Sequence, residues 1–188
     1  DEIERAATRV ENAAAQLGPN AQAAIAWLNK VGGLSHGKVV ACLRELFGIT
    51  LSRGGSAQAM LRVAERGEPT YQKLLEAARR SPWVVPDETG WRINGMTAWL
   101  HVFVTELATI FLIDPSRSLR PAVRVLGRDY AGDVIHDGWV AYDALEQVEH
   151  QQCLRHLMGR CHEILETARG TARRLPSEIL GTMKVALA

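Results

Sequence analysis

The hydrophobic pattern of this 188-residue chain changes near residue 80, and that change limits the fold more than any other feature. Before it, the sequence is rich in Ala and its apolar residues recur at helical spacing. After it, β-branched and aromatic runs alternate as in strands. We therefore predict an all-helical N-terminal region over residues 1–80 and a sheet-containing core over 81–170. Residues 171–188, which contain Pro and Gly, are predicted to be a link to a missing C-terminal part.

Gly and Pro divide the N-terminal region into helices. A helix, a glycine-containing turn and a second helix form the outline of a helix-turn-helix, so one interpretation is that this pair of helices reads DNA. Plain helical packing is the alternative. The predicted helices are residues 2–17, residues 21–30, a helix from the Ser35 N-cap to Gly48, a stretch around 57–64, and a helix from Tyr71 to Arg80 introduced by Pro69.

The core begins with a strong hairpin signal. The pair Asn94-Gly95 lies between two alternating runs, which predicts a two-residue turn joining a strand from Trp83 to a strand through 98–104. The predicted fold class is α+β or α/β, with a mixed five-stranded sheet and flanking helices. The later elements are a strand at 109–113, a helix from Ser118 to Gly127, a strand at 133–136, a short helix at 141–145, a strand or helix approach at 150–153, and a long helix through Glu166.

Charge and composition exclude several classes of protein. Lys plus Arg (22) nearly balances Asp plus Glu (21), which excludes strongly basic packaging proteins. The chain has three cysteines, a small and uneven number that argues against a disulfide framework. We therefore expect the protein to reside in a reducing compartment. No apolar run approaches the ~20 residues that span a bilayer, and no signal-peptide pattern is present. We therefore expect a cytoplasmic protein with no membrane partner.

Two aspartates follow predicted strands. Asp87 lies at the end of the first strand, and Asp137 directly follows the fourth. Carboxylates at the ends of neighbouring central strands can converge on one point, where Mg²⁺ or Mn²⁺ binds one or two carboxylates while substrate phosphate completes the shell. Two such ions about 3.5–4 Å apart promote phosphoryl transfer. The alternative for Asp137 is a turn residue, because Asp-Gly is a common turn.

Several separated motifs, in the same order along the chain, resemble insertion-sequence-66-type transposases over about residues 18–166. The resemblance implies a ribonuclease-H-like core with a catalytic trio of two Asp and one Glu, and its first two acids fall on Asp87 and Asp137. It also implies two Mg²⁺ or Mn²⁺ ions. The motifs are Leu46-Phe47-Gly48-Ile49 with Leu51-Ser52, Asp87-Glu88-Thr89, Asn94-Gly95, Asp114-Pro115-Ser116-Arg117-Ser118, Asp137-Gly138-Trp139-Val140-Ala141-Tyr142, and Cys153-Leu154-Arg155-His156-Leu157 followed by Arg160-Cys161.

The third acid has no clear counterpart. The family carries it in an Asn-Asn-x-x-Glu-Arg type segment, and no such segment occurs before Ala188. Glu163 and Glu166 lie on the last long helix, where a minimal core of this kind would place its acid, but a solvated helix face is the alternative. The chain is therefore predicted to be the front part of a transposase that lacks the C-terminal part.

Four arginines, at positions 117, 120, 124 and 128, are spaced to share one face of a helix. We predict that Arg117, Arg120, Arg124 and Arg128 contact DNA phosphates, with a solvated surface as the alternative. Pro86 is unexpected in a central strand, and a local bulge would accommodate it.

Two further groups of residues are expected to contribute to packing rather than to chemistry. The set Cys153, His156, Cys161 and His162 is not a recognised zinc arrangement, so core packing is expected there. The tryptophans that flank the acids, Trp83, Trp91, Trp99 and Trp139, are expected in the core or at its rim, with base stacking as the alternative.

The predicted function is that of a DNA transposase. Water activated by metal would cleave a strand at the element end, and the freed 3′ hydroxyl would then attack target DNA. The predicted partners are DNA of the element ends and the target, and further copies of the chain in the active complex, which would associate with the nucleoid. The alternatives are a non-catalytic DNA-binding protein derived from a transposase, and another ribonuclease-H-like nuclease such as a junction resolvase.

Overall fold

The computed structural model describes residues 17–187, so the predicted helix at 2–17 lies outside the described residues. The chain divides into two units, residues 1–71 and 72–188. The division falls inside a long helix, whereas the hydrophobic pattern changes near residue 80. Each unit is described separately below.

Helices α1 (Pro19–Lys30) and α2 (His36–Phe47) and the start of α3 (Arg53–Arg79) build the first unit. The predicted caps of α2 are confirmed: the Ser35 hydroxyl accepts the Lys38 N–H, and Gly48 closes the helix at a φ of 66°. A small apolar core holds the three helices together. Its fully buried members are Ile25, Val39, Leu43 and Ala59.

The predicted break at Pro69 is wrong. Residues 53–79 form one helix of 27 residues, with Pro69 inside it. A proline in a helix removes one backbone hydrogen bond and favours a kink or an end, but this helix continues through it. In the second unit, Leu75 and Ala78 of α3 are buried, so its last turns are held by packing.

The second unit is built on a sheet of five strands in the order β3-β2-β1-β4-β5. The β1–β2 and β2–β3 pairs are antiparallel, and the β1–β4 and β4–β5 pairs are parallel. This order and these directions are those of a ribonuclease-H-like core, so the predicted fold class is confirmed. The strands are β1 (Trp83–Ile93), β2 (Met96–Thr105), β3 (Thr109–Asp114), β4 (Asp133–His136) and β5 (His150–Gln152).

The hairpin between β1 and β2 forms where the sequence predicted it. Ile93 pairs with Met96, and the two turn residues Asn94 and Gly95 have φ angles of 51° and 80°. A two-residue turn that follows the strand twist requires positive φ at both positions, which Asn and Gly tolerate best. The β1–β2 register runs unbroken from Val84 to Ile93, so Pro86 causes no bulge. The pairs of β1 with β4 end at Val84, before the proline that lacks an N–H.

The alternation along the strands gives the sheet a closed face and an open face. Side chains of the closed face are mostly buried, and those of the open face are partly or largely exposed. The closed face comprises Val84, Pro86 and Glu88 of β1, His101, Phe103 and Thr105 of β2, Ile110 and Asp114 of β3, and Val134 and His136 of β4. The open face comprises Val85, Asp87 and Thr89 of β1, Leu100, Val102 and Val104 of β2, Phe111 and Ile113 of β3, and Ile135 of β4.

Three further α-helices complete the second unit: α4 (Arg120–Leu126), α5 (Leu154–Thr167) and α6 (Arg174–Ala186). Helix α4 begins after Leu119 rather than at the predicted Ser118 cap, and it has four buried residues. Arg79 fixes the end of α4 by donating to the carbonyls of Val125 and Arg124 at 3.0 and 3.1 Å. The predicted short helix at 141–145 is a 3₁₀ turn at Tyr142–Ala144.

The segment predicted as a link, 171–188, is largely helical. A 3₁₀ turn at Gly170–Arg173 leads directly into α6, which packs against α5. Pro176 lies in the first turn of α6, where a missing N–H costs nothing, so the residue taken as a helix breaker is compatible with the helix. Over residues 17–187, the helices are all too short or too polar to cross a bilayer.

Candidate active site

Asp87 lies on β1 and Asp137 just after the neighbouring parallel strand β4, and the paired residues of these two strands end at Val84 and Val134. Trp83 pairs with Asp133 and Val84 with Val134, an offset of 50 residues. The same offset relates Asp87 to Asp137, since 137 − 87 = 50. Asp137 directly follows the last residue of β4, where the chain leaves the sheet. Asp137 thus follows a strand end as predicted, whereas the prediction that Asp87 ends its strand is wrong, because β1 continues through the hairpin to Ile93.

Both aspartates also act on one common group, the hydroxyl of Tyr142. Burial is the main cause that raises the pKa of Tyr142, followed by the charge and hydrogen bond of Glu88, and then by the charges of Asp137 and Asp87. A charge acts on a neighbour only over a limited distance, because solvent ions screen it. Both negative charges add to the effect of burial and of Glu88 on the pKa of Tyr142.

Neither aspartate has a cationic partner within residues 17–187. The Asp137 Oδ1 atom accepts the backbone N–H of Trp139 at 2.8 Å, and the Asp87 Oδ1 atom accepts that of Glu88 at 2.9 Å. The ion pairs of the described chain use other acids. Each aspartate thus keeps a second carboxylate oxygen that no described side chain engages.

The next residue along β1, Glu88, has the opposite environment. Its side chain is 4% exposed on the closed face, and its Oε1 atom lies 2.8 Å from Arg117 Nε. Its Oε2 atom accepts the hydroxyl of Tyr142 at 3.1 Å. Both oxygens are therefore satisfied within the protein, as a buried charge requires.

Arg117 lies between two indole rings. Its guanidinium carbon is 4.0 Å from the ring centroid of Trp139 and 4.8 Å from that of Trp99, which is within the range of a cation–π contact. The Trp139 indole N–H donates to the Arg117 carbonyl at 3.2 Å. We call Glu88, Arg117, Trp139 and Tyr142 the clamp.

A second neutralised acid lies at the end of β3. Asp114 is buried, and it forms an ion pair with Arg120 and accepts the backbone N–H of Ser116 at 2.8 Å. Burial alone would raise the pKa of Asp114, but the hydrogen bonds from Arg120 and Ser116 and the charge of Arg120 together lower it. Asp114 is thus a structural acid, and Arg120 is not free for another anion in this arrangement.

A histidine pair adjoins Asp137. His136 Nε2 lies 3.1 Å from His150 Nδ1, and Asp143 lies near enough that one ligand atom from each of the three falls within 4.8 Å of the others. The Gly138 N–H points at His136 Nδ1 at 3.2 Å, so His136 is protonated on Nε2 and donates to His150. His150 Nε2 then faces the carbonyl of Leu145 at 3.3 Å. Burial and the neighbouring His150 lower the pKa of His136.

This hydrogen-bond chain disfavours a metal at the histidines. A neutral imidazole has one ring N–H, so His136 cannot ligate through Nε2 while Nδ1 accepts the Gly138 N–H. The two aspartates suit a divalent cation better, because they offer hard oxygen ligands and neither carboxylate forms an ion pair in the described chain. A site of carboxylate oxygens that is open to water favours Mg²⁺ or Mn²⁺ over a soft metal, because these hard ions prefer oxygen ligands.

The third acid is not brought into this site by the described residues. Glu163 and Glu166 lie on α5 with exposed side chains. Over residues 17–187, the one group of three metal-ligating residue types is that of His136, Asp143 and His150. Neither glutamate therefore forms a three-ligand cluster with Asp87 and Asp137 in the described chain.

The predicted arginine stripe is wrong as a single helix face. Helix α4 covers only residues 120–126, so Arg117 precedes it and Arg128 follows the Gly127 cap. Arg117 is committed to the clamp, and Arg120 to Asp114. Arg124 and Arg128 have exposed side chains. Contact of the four arginines with DNA remains a prediction.

Two expectations about packing can be compared with the structure. Cys161 is buried and all three cysteines are free, and within the described chain no zinc-like cluster forms from Cys153, His156, Cys161 and His162. Of the tryptophans, Trp99 and Trp139 are partly buried beside Arg117, and Trp91 is largely exposed on the β1–β2 ribbon.

Sequence reasoning missed the clamp residues Glu88, Tyr142 and Trp139 as a unit. One signal was available for Glu88: it continues the alternation of the buried Val84 and Pro86, so its side chain had to enter the closed face. The pairing with Arg117, 29 residues away, and with Tyr142, 54 residues away, depends on the tertiary fold.

Comparison with known proteins agrees with this core. The profile of the "Transposase IS66 family" matches residues 14–185, which is most of the chain, and the chain belongs to that family. No curated protein sequence matches it.

Two solved structures of the HTLV-2 integrase catalytic core domain in complex with magnesium are similar to the chain. The dimeric form is 12% identical over 51% of this chain and 82% of that one, with a TM-score of 0.30. The trimeric form is 13% identical over 54% and 84%, also with a TM-score of 0.30.

Proposed function

We propose that this chain carries the metal-binding part of a DNA transposase, which cleaves a strand at the element end and transfers it to target DNA. Membership of the transposase family supports the class of reaction. The observation that carries the site assignment is the pair Asp87 and Asp137, which lie on and just after neighbouring parallel strands and whose carboxylates form no ion pair in the described chain.

The chemistry is phosphoryl transfer on DNA. In cleavage, the oxygen of water forms a bond to phosphorus while the bond to the 3′ oxygen breaks, and that oxygen leaves as a hydroxyl. In transfer, the oxygen of the freed 3′ hydroxyl forms a bond to phosphorus in a phosphodiester of the target, and the 3′ oxygen of that phosphodiester leaves as a hydroxyl. A bound divalent cation supplies charge stabilisation and activation of the attacking oxygen.

The residues of the chain supply position and charge. Asp87 and Asp137 would hold the cation through their unengaged carboxylate oxygens. The Trp139 N–H fixes one oxygen of Asp137, which leaves the other to face the site. Tyr142 stays protonated because its pKa is raised, so its hydroxyl continues to donate to Glu88 at neutral pH.

The partners we propose are DNA of the element ends and of the target, with several copies of the chain in the active complex. The exposed Arg124 and Arg128 are available for phosphate contacts, which would make binding sensitive to salt. We place the protein in the cytoplasm, associated with the nucleoid when it binds DNA. The helix pair α2–α3 is a further candidate DNA contact.

The test is strand cleavage by the full-length protein with Asp87→Asn and Asp137→Asn. Each variant keeps the shape of the side chain and removes its charge, so we expect cleavage to fall by at least about a thousandfold while DNA binding is retained. Asp133→Asn, at the other end of β4, is the matched control and should cleave normally. Normal cleavage by either site variant would remove the mechanism and leave a non-catalytic DNA-binding protein as the better description.

A further inference from the structure

We propose that the clamp positions Asp137: Glu88 and Arg117 hold Tyr142 and Trp139, and thereby fix the loop that presents the Asp137 carboxylate to a divalent cation. Glu88 and Arg117 are thus positioning residues rather than ligands. The inference rests on the proposed function, because it assigns a role at the same site.

The loop after β4 needs such support. Asp137 lies outside the strand ladder, and the next residue, Gly138, turns the chain at a φ of 86°. The sheet therefore does not fix the direction of Asp137. An Asx turn to the Trp139 N–H fixes one of its oxygens only if Trp139 itself is held in place.

Glu88 connects this loop to the strand that carries the other aspartate. Its carboxylate accepts the Tyr142 hydroxyl at one oxygen and Arg117 Nε at the other. Because Glu88 and Asp87 are neighbours on β1, the anchor and the first acid belong to one rigid element. The contact between Glu88 and Tyr142 therefore holds the loop after β4 in a fixed position relative to β1, the strand that carries Asp87.

Arg117 provides the second anchor. Its guanidinium lies over the Trp139 ring, its carbonyl accepts the Trp139 indole N–H, and the Trp99 ring of β2 is also within cation–π distance. A planar guanidinium can pair with a carboxylate and stack on two rings at once, whereas a lysine ammonium cannot. The main chain of Asp137 is held further by Arg160, which donates to its carbonyl.

Partners of this kind tune metal sites in general. Residues that hold a ligand in place typically change metal affinity by 10- to 100-fold when they are altered, although they do not touch the ion. A purely structural role of the clamp would instead change the stability of the fold and leave the affinity of the folded protein unchanged. A positioning role therefore predicts a change in metal affinity, and a purely structural role predicts a change in stability alone.

The experiment measures Mn²⁺ affinity by titration calorimetry, melting temperature, and amide hydrogen exchange of residues 138–142 in the 188-residue chain. We expect Tyr142→Phe and Arg117→Lys to remain folded, to bind Mn²⁺ about tenfold more weakly, and to exchange the loop amides faster. Arg79→Lys is the matched control. It removes arginine hydrogen bonds to the carbonyls of α4, far along the chain from the loop, and should leave the Mn²⁺ affinity unchanged.

Two further variants separate this proposal from the one on which it rests. If Asp87→Asn and Asp137→Asn bind Mn²⁺ as the unaltered chain does, the proposed metal site itself is wrong. If they lose binding while Tyr142→Phe and Arg117→Lys keep the normal affinity and exchange, the clamp is structural and the positioning role is overturned. Should Arg117→Lys fail to fold, Tyr142→Phe decides, because it removes a single hydroxyl.

Discussion

Two acidic residues that are neighbours on β1 have opposite environments, because their side chains lie on opposite faces of the sheet. On the closed face, Glu88 is buried and paired with Arg117 and Tyr142. On the open face, Asp87 is exposed and lacks a cationic partner among residues 17–187. Because successive side chains of a strand point to opposite faces, Glu88 is neutralised within the protein while its neighbour Asp87 stays open to a cation from solution.

The same difference separates Asp114 from Asp137. Both follow or end a strand, but Asp114 is buried with Arg120, whereas the Asp137 carboxylate accepts a main-chain N–H. A buried charge without compensation is unstable, so the paired acids have a structural explanation. The unpaired acids are partly or fully open to solvent: Asp137 serves as a turn residue through its bond to the Trp139 N–H, and the metal-binding role of both acids is the proposal made above.

The first contrast concerns packing on the two faces. Ile110 is 1% exposed and Ile113 is 44% exposed, although both lie on β3. Replacing Ile110 by Ala should lower the free energy of unfolding by about 3 kcal/mol, because it leaves a cavity in the closed face. Replacing Ile113 by Ala should cost below about 1 kcal/mol. Chemical denaturation of both variants measures the difference; equal losses would mean that the open face is covered by packing.

The next contrast concerns the two acids of β1. Glu88→Gln leaves a partly buried Arg117 without its charge partner, and we expect a loss of about 3 kcal/mol of stability, at the low end for a broken buried pair because Arg117 is partly exposed. Asp87→Asn should change stability by no more than about 0.5 kcal/mol. Unfolding curves in the absence of metal test this, and a larger cost for Asp87→Asn would show that Asp87 is a structural acid.

The smallest expected effect is the dependence of stability on pH through Asp114. The pKa of Asp114 lies below its ordinary value of 3.8, so the folded chain binds this proton less readily than the unfolded chain. Its contribution is present above about pH 4 and is lost as the pH falls through the lower folded value. Asp114→Asn should cost about 1 kcal/mol at neutral pH and make the loss of stability in acid shallower. An unchanged acid dependence would show that the Arg120 pair contributes nothing.

Local features of the fold could be predicted from the sequence because their causes are local. Asn94-Gly95 specifies its own turn, and Ser35 and Gly48 specify the two ends of α2. The local signal failed at Pro69, which lies inside α3 although residues 64–70 around it are exposed. The arginine stripe was wrong for a reason already visible in the sequence, since a helix that ends at Gly127 cannot carry Arg128.

Only part of the candidate site could be predicted from the sequence. Asp137 could be placed after a strand, but the length of β1 beyond Asp87 was not foreseen. The parallel pairing of β1 with β4 could not be derived from periodicity. The clamp was out of reach because Glu88 finds its partners 29 and 54 residues away, and only the closed fold brings these together.

The most direct test of the central claim is anomalous scattering from Mn²⁺ in crystals of the chain. If Asp87 and Asp137 share a cation, a manganese peak should lie about 2.1 Å from a carboxylate oxygen of each. A peak confined to His136, Asp143 and His150, or a structure that holds the two carboxylates too far apart to share an ion, would contradict the account.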